Sequence, residues 1–194
     1  TDSNGEEEWS KTFGGGESDI GNSVKQTPDG GFIIAGNTYS FGNGDGDVWL
    51  IKTDANGEEE WSKTFGSKYS DASNSIELVP GNGYIIIGST VIAENSPSDV
   101  WLIKTDSNGN EEWNQTFGGD YADSGILIKN TPDGGFIIAG NTEADGYLVR
   151  INSSGDTLWT KLLGDESSDR IYSSDLVDDN SFVVCGHLGS NWFL

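Results

Sequence analysis

The sequence predicts an all-β protein built from one four-stranded sheet repeated along the chain, and three observations carry that expectation. The opening phrase from Thr1 to Trp9 returns almost unchanged at 53–61 and 105–113 and, worn, at 152–159. Its tryptophans, Trp9, Trp61, Trp113 and Trp159, stand 52, 52 and 46 residues apart, which marks one structural unit copied end to end. Between these landmarks apolar residues alternate with polar ones or run in short blocks, with no segment of helical period. The 28 glycines supply the turns that many short strands require.

The second copy spells out the unit. Residues 74–79 alternate as a half-buried strand does, and Pro80-Gly81-Asn82-Gly83 is a turn. Residues 84–87 are continuously apolar, as in a strand covered on both faces. Residues 99–104 form a third strand, closed by Asp106-Ser107-Asn108-Gly109, and residues 111–117 a fourth. In the hairpin between third and fourth strands, Asp54-Ala55-Asn56-Gly57 suits a type I turn with glycine in the left-handed position. Counting back from it pairs Lys52 with Glu60 and Ile51 with Trp61, and likewise Lys104 with Glu112 and Ile103 with Trp113. The ion pairs are expected to lie in solvent, worth under ~1 kcal/mol each, and tryptophan burial to contribute more, ~2–3 kcal/mol per ring.

A lone sheet of this kind exposes two apolar faces, and stacking copies around an axis buries both. The expected fold is therefore a single domain over 1–194, a ring of four blades: a β-propeller with units at about 14–66, 67–118, 119–164 and 165–194 plus 1–13. The last unit supplies three strands, at 171–177, 181–185 and 191–194, and the first thirteen residues supply a fourth strand without its own three. The expectation is that residues 6–13 complete the last blade, either within one molecule or in a neighbour.

The run Trp113-Asn114-Gln115-Thr116-Phe117-Gly118-Gly119, then Asp123, then residues 133–142 (Asp-Gly-Gly-Phe-Ile-Ile-Ala-Gly-Asn-Thr), resembles the propeller repeats of secreted and surface proteins of archaea and bacteria. The spacing from Asp54 to Trp61 is similar to the quinoprotein-type repeat and, more loosely, to the sialidase Asp-box. The resemblance spans the chain and implies blade construction; it implies no activity.

With 10 Lys and Arg against 32 Asp and Glu, the formal net charge is −22. Such a surface repels phosphate backbones and anionic headgroups, which argues against nucleic acid and membrane adsorption; no apolar stretch approaches the ~20 residues of a membrane-spanning helix. One cysteine makes no internal disulfide. The sequence contains no methionine, as expected of a processed mature form or a piece of a longer chain; loss of an export signal explains it, and a boundary within a longer chain explains it equally well.

Candidate sites are few. Asp19, Asp71, Asp123 and Asp169 each precede an innermost strand, so a closed ring gathers four carboxylates at one rim, where a cation relieves their repulsion; the competing role is capping of the turn. Asn43, Asp45 and Asp47 alternate like the first half of a calcium loop without its closing glutamate. Asp47 recurs as Asp99 and Asp145. Asn114 and Asn152 head N-glycosylation patterns, with Asn152 expected the more accessible. Tyr39, Phe41, Tyr69 and Tyr121 sit in loops where a surface glycan stacks or where blades pack. Cys185 reads as a small core residue and His187 as an exposed loop residue. No constellation suggests catalysis or a cofactor other than calcium. The expected function is a non-catalytic extracellular or cell-surface structural module with a protein or glycan partner. The alternatives are a self-assembling filament or swapped oligomer, and a cation- or glycan-binding propeller.

Overall fold

The computed structural model describes residues 1–81, 83–142, 145–164, 169–177, 181–188 and 191–193; Asn82 and Leu194 of the expected turn and strand fall outside these. The described residues form strands and no helix. The first sheet is β1 (Asp19–Gln26), β2 (Phe32–Thr38), β3 (Asp47–Thr53) and β4 (Glu59–Phe65), antiparallel in chain order. The second is β5 (Asp71–Leu78), β6 (Tyr84–Val91), β7 (Ser98–Thr105) and β8 (Glu111–Phe117); the third is β9 (Ser124–Asn130), β10 (Phe136–Asn141), β11 (Gly146–Ile151) and β12 (Thr157–Leu163). The fourth has β13 (Arg170–Leu176), β14 (Phe182–Leu188) and the short β15 (Asn191–Phe193).

The continuously apolar second strands are explained by burial on both faces. In β6, Ile86 joins Ile33, Ala35, Val48 and Leu50 of the first sheet, while its neighbours Ile85 and Ile87 join Ile128, Phe136, Ile138 and Val149 of the third. Side chains alternate across a strand, so one Ile-Ile-Ile run seals two interfaces. A third, smaller cluster of Ala139, Leu148 and Ile171 joins the last two sheets.

Each fourth-strand tryptophan leans forward onto the aromatic that opens the next sheet's second strand, always 23 residues later. Trp61 meets Tyr84 at 6.2 Å between ring centroids, and Trp159 stacks on Phe182 at 6.2 Å. Trp113 packs on the cluster containing Phe136. Trp9 meets Phe32 at 5.8 Å in the same way. A Cβ on Gly57 would meet Trp9 and Lys11 at 2.6 and 3.1 Å, and one on Gly109 would meet Trp61 and Lys63 at the same distances. The opening segment thus docks on the first sheet as β4 docks on the second.

This corrects the expected closure. Residues 6–13 form no strand and enter no described ladder; they lie over the first sheet, where Lys11 pairs with Glu58 at 2.5 Å. The four sheets form an open succession. Thr1–Trp9 nonetheless keeps the hairpin-tip conformation of its copies. Asp2 accepts the amides of Asn4 and Glu6, as Asp54 accepts those of Asn56 and Glu58, and Asp106 those of Asn108 and Asn110. The turn is therefore encoded locally, whereas strand pairing needs a partner.

The hairpin register also differs from expectation by one residue. Lys52 lies opposite Trp61 and Ile51 opposite Ser62, because beyond the turn, where Thr53 still faces Glu59, a bulge at Glu60 inserts an extra residue into the returning strand. The bulge still leaves Lys52 Nζ 2.9 Å from Glu60. The ammonium is not solvent-exposed: Lys52 retains only 4% exposure and is held by Asp29, Glu60 and the Thr53 carbonyl. Arg150 repeats the clasp with Asp133 and the carbonyls of Phe136 and Ile151. In the second sheet Gly81 replaces the aspartate, and among the described residues Lys104 keeps Glu112.

The Thr131 hydroxyl, Arg150 and the Gly135 amide lower Asp133 from the ordinary aspartate value of 3.8 to about 2. A depressed carboxylate contributes stability above its unfolded pKa and loses it as pH falls through the folded one. Asp133→Asn is therefore expected to be less stable than the parent at pH 7. The difference should shrink steadily between about pH 5 and pH 2 in paired denaturation curves. A constant difference across that range contradicts the clasp.

The innermost strands are joined by a second repeated device. Lys25 of β1 pairs with Glu77 of β5 at 2.6 Å, Glu77 also faces Lys129 of β9 at 3.7 Å, and Lys129 faces Asp175 of β13 at 3.5 Å. Charge alternates from sheet to sheet. Beside it, the bulged Asn22 and Asn74 donate to the Ser73 and Gly125 carbonyls of the next sheet at 2.8 and 2.7 Å.

Candidate functional site

The four recurring aspartates stand at the entrance to each sheet's first strand. Asp19 accepts from Thr38 Oγ1 at 2.5 Å, Ser40 Oγ at 2.8 Å and the Gly15 amide at 2.9 Å; the Thr38 hydroxyl, then the Gly15 amide, lower its pKa. Asp71 accepts the Ser67 amide at 2.6 Å and Asp123 the Gly119 amide at 3.0 Å. Asp71, Asp123 and Asp169 are buried. Each aspartate is five residues beyond a glycine: Gly14, Gly66, Gly118 and Gly164.

What sequence reasoning missed is the partner. Asp47, Asp99 and Asp145 each fall 24 residues before Asp71, Asp123 and Asp169, a constant separation even where the repeat shortens. Around Gly66 stand Asp47 and Asp71, and around Gly164 stand Asp145 and Asp169; Asp99 touches the same position of Gly118. Burial, with Asp71's charge adding to it, raises the Asp47 pKa, and burial with Asp99's charge does the same to Asp123. The invariant spacing was the signal that pointed to pairs.

In the 43–47 loop, Asn43 and Asp45 are exposed and Asp47 is buried. Asn43 contributes its amide to Asp47 Oδ2 at 2.8 Å, so the loop shapes Asp47's surroundings. No group of three His, Cys, Asp or Glu side chains suited to a metal gathers among the described residues.

The first and third sheets each carry a cleft at equivalent positions, lined by Thr12, Phe13 and Trp49 in the first and by Thr116, Phe117 and Tyr147 in the third. Thr38 and Asp47 are nine residues apart, whereas Thr142 and Asp145 are three apart. In the first sheet the long loop folds Phe41 over Trp49 at 5.2 Å. The third sheet has Tyr147 at that position and a cleft of about 660 Å³ beside it, whose walls include Asp120, Tyr121, Asp123, Asp145, Tyr147 and Leu162. Tyr121 and Leu162 are exposed; the buried Tyr147 hydroxyl has no hydrogen-bond partner, and burial pushes its pKa well up. Of the other loop aromatics, Tyr39 is exposed and Tyr69 lies half-buried under Lys68.

Asn114 is exposed on β8, where it accepts from Trp101 Nε1 at 3.3 Å. Asn152 corrects the expectation that it is the more accessible of the two: it is half-buried where Asn114 is exposed, and its Oδ1 accepts the Ser154 and Asp156 amides at 2.9 Å each, the hairpin-cap role that Asp54 and Asp106 fill. His187 corrects another, since it lies within β14 opposite Arg170 and Trp192 with a buried Nδ1. Cys185 is half-buried in the same strand.

Among known proteins, no family model and no curated protein matches the chain. The fold is similar to that of a protein of unknown function from Bacteroides caccae, with a TM-score of 0.58 at 12% identity, over 88% of this chain and 54% of the neighbour. The chain thus spans about half the length of that neighbour, and the likeness concerns fold alone.

Proposed function

We propose that the chain is a non-catalytic extracellular or cell-surface module, a β-propeller-type array of blades that acts as a structural and interaction element. The observation that carries the reading is the use made of its polar and aromatic residues. The recurring aspartates, tryptophans, lysines and asparagines hold hairpin tips, single sheets and the junctions between sheets together, and the described histidine and cysteine sit within one strand. The cleft beside Tyr121 and Leu162 is a larger version of the one at the equivalent place on the first sheet, is of ligand size, and is where a protein or glycan partner would contact the module. Purified protein assayed against chromogenic glycosides, esters and phosphate esters is expected to show no turnover above buffer. Turnover that disappears in Asp123→Asn or Asp145→Asn contradicts the reading.

A second reading, self-assembly, is favoured by the two ends of the array. The opening segment docks like a fourth strand, the last sheet has three strands, and Ile20 and Val24 remain exposed on the first sheet. The charge ladder begins with Lys25 and ends with Asp175, so a second copy added head to tail continues its alternation. Light scattering showing a concentration-dependent rise in mass supports assembly; a strictly monodisperse monomer removes it.

A further inference from the structure

The aspartate pair at the first junction is chemically incomplete. Asp47 is 1% exposed and Asp71 2% exposed. One oxygen of each is satisfied, by the Asn43 amide at 2.8 Å and the Ser67 amide at 2.6 Å. The other, Oδ1 in both residues, is buried with no hydrogen-bond partner. Two neighbouring carboxylates with bare, dehydrated oxygens repel each other and lack the donors that buried anions require. Yet the pair recurs with the same 24-residue separation at Asp99 and Asp123 and at Asp145 and Asp169.

Glycine at position 66 lets both carboxylates approach the same stretch of backbone. A Cβ on Gly66 would collide with Asp47 Oδ1 and come within 3.0 Å of Asp71 Oδ2. Gly44 is equally confined: its Cβ would lie 2.6 Å from the Ser67 carbonyl and 2.8 Å from that of Tyr69. Gly44 and Gly66 thus let the loops 43–47 and 66–71 pack closely, with both carboxylates beside Gly66.

We propose that a calcium ion binds between Asp47 and Asp71, joining the first sheet to the second. A pair of carboxylates suits calcium, which accepts six to eight oxygens at variable angles and takes water for the remainder. Magnesium demands a regular octahedron and zinc prefers nitrogen and sulfur. The net charge of −22 raises the local cation concentration. The ion supplies what the two Oδ1 atoms lack and links loops 43–47 and 66–71, so its effect is on the junction and not on chemistry.

The test is calorimetric titration of chelator-treated protein with calcium chloride, together with melting curves. The wild type is expected to bind saturably, with Kd on the order of 10⁻⁴ M as in extracellular modules. At 10 mM calcium its Tm should rise by roughly 5 °C or more. Asp47→Asn with Asp71→Asn should lose one calcium equivalent and part of the Tm shift. Absence of saturable binding in the wild type overturns the proposal, as does a Tm rise that sodium chloride of equal ionic strength reproduces. So does a double variant that keeps every equivalent. If the variant does not fold, terbium luminescence sensitised by tryptophan in the wild type serves instead. Saturable emission displaced by calcium supports the site, and no emission contradicts it.

Discussion

Gly88→Ala is expected to destabilise the protein by about 3 kcal/mol or more, at the upper end of overpacking effects. Gly88 is buried in β6 opposite Ser73, where β5 bulges around Asn74. A Cβ there would run into the Ala72 carbonyl and the Ser73 Cα, and these are backbone atoms of a paired strand that no rotamer change can move. Gly36 meets the same obstacle from Ile20, so the small residue is a condition of the bulge in the first two sheets. Gly134→Ala provides the comparison: its φ is +82° with nothing within 4 Å, and it should cost only the ~1–2 kcal/mol of a left-handed alanine. Denaturant midpoints at constant slope measure both. Equal costs for the two variants contradict the steric account.

Phe136→Ala is the second large expectation, at about 3–5 kcal/mol. Phe136 is fully buried at the middle junction and packs in the cluster that receives Trp113 and contains Ile85, Ile87 and Ile128. Truncation removes the ring and leaves a cavity between two rigid sheets. The corresponding Phe182 is half-buried at the smaller last junction, and Phe182→Ala should cost about half as much. Because each sheet touches chiefly its neighbours, the loss should first appear as faster amide exchange in β6 and β10. Uniform acceleration across all four sheets contradicts that locality.

How far these features were legible in the sequence depends on how local they are. The strands, hairpin tips and doubly buried runs followed from glycine and aspartate turn chemistry and from apolar blocks such as Ile85-Ile86-Ile87. The one-residue register error arose because the bulge at Glu60 is invisible to alternation counted from the turn. The clasp around Lys52 was misjudged as exposed because its second acid, Asp29, comes from another turn. The destination of residues 6–13 was equally hidden: strand propensity does not say which sheet a segment joins, and packing of Trp9 on Phe32 decided it. Of the candidate site, Asp19, Asp71, Asp123 and Asp169 were found from recurrence, but as members of one rim. Their partners Asp47, Asp99 and Asp145 were noticed separately, because only the fold brings a third strand's start against the next sheet's first strand.

The central claim is that each sheet is joined to the next by the same contacts and that the opening segment engages the first sheet as β4 engages the second. The most direct test is the nuclear Overhauser contact pattern of the Trp9 indole. The account predicts contacts to the Phe32 ring, whose centroid is 5.8 Å away, and to the Gly57 turn. Contacts from Trp9 to residues of β15 in the same molecule, with none to Phe32, would contradict it and restore a closed ring.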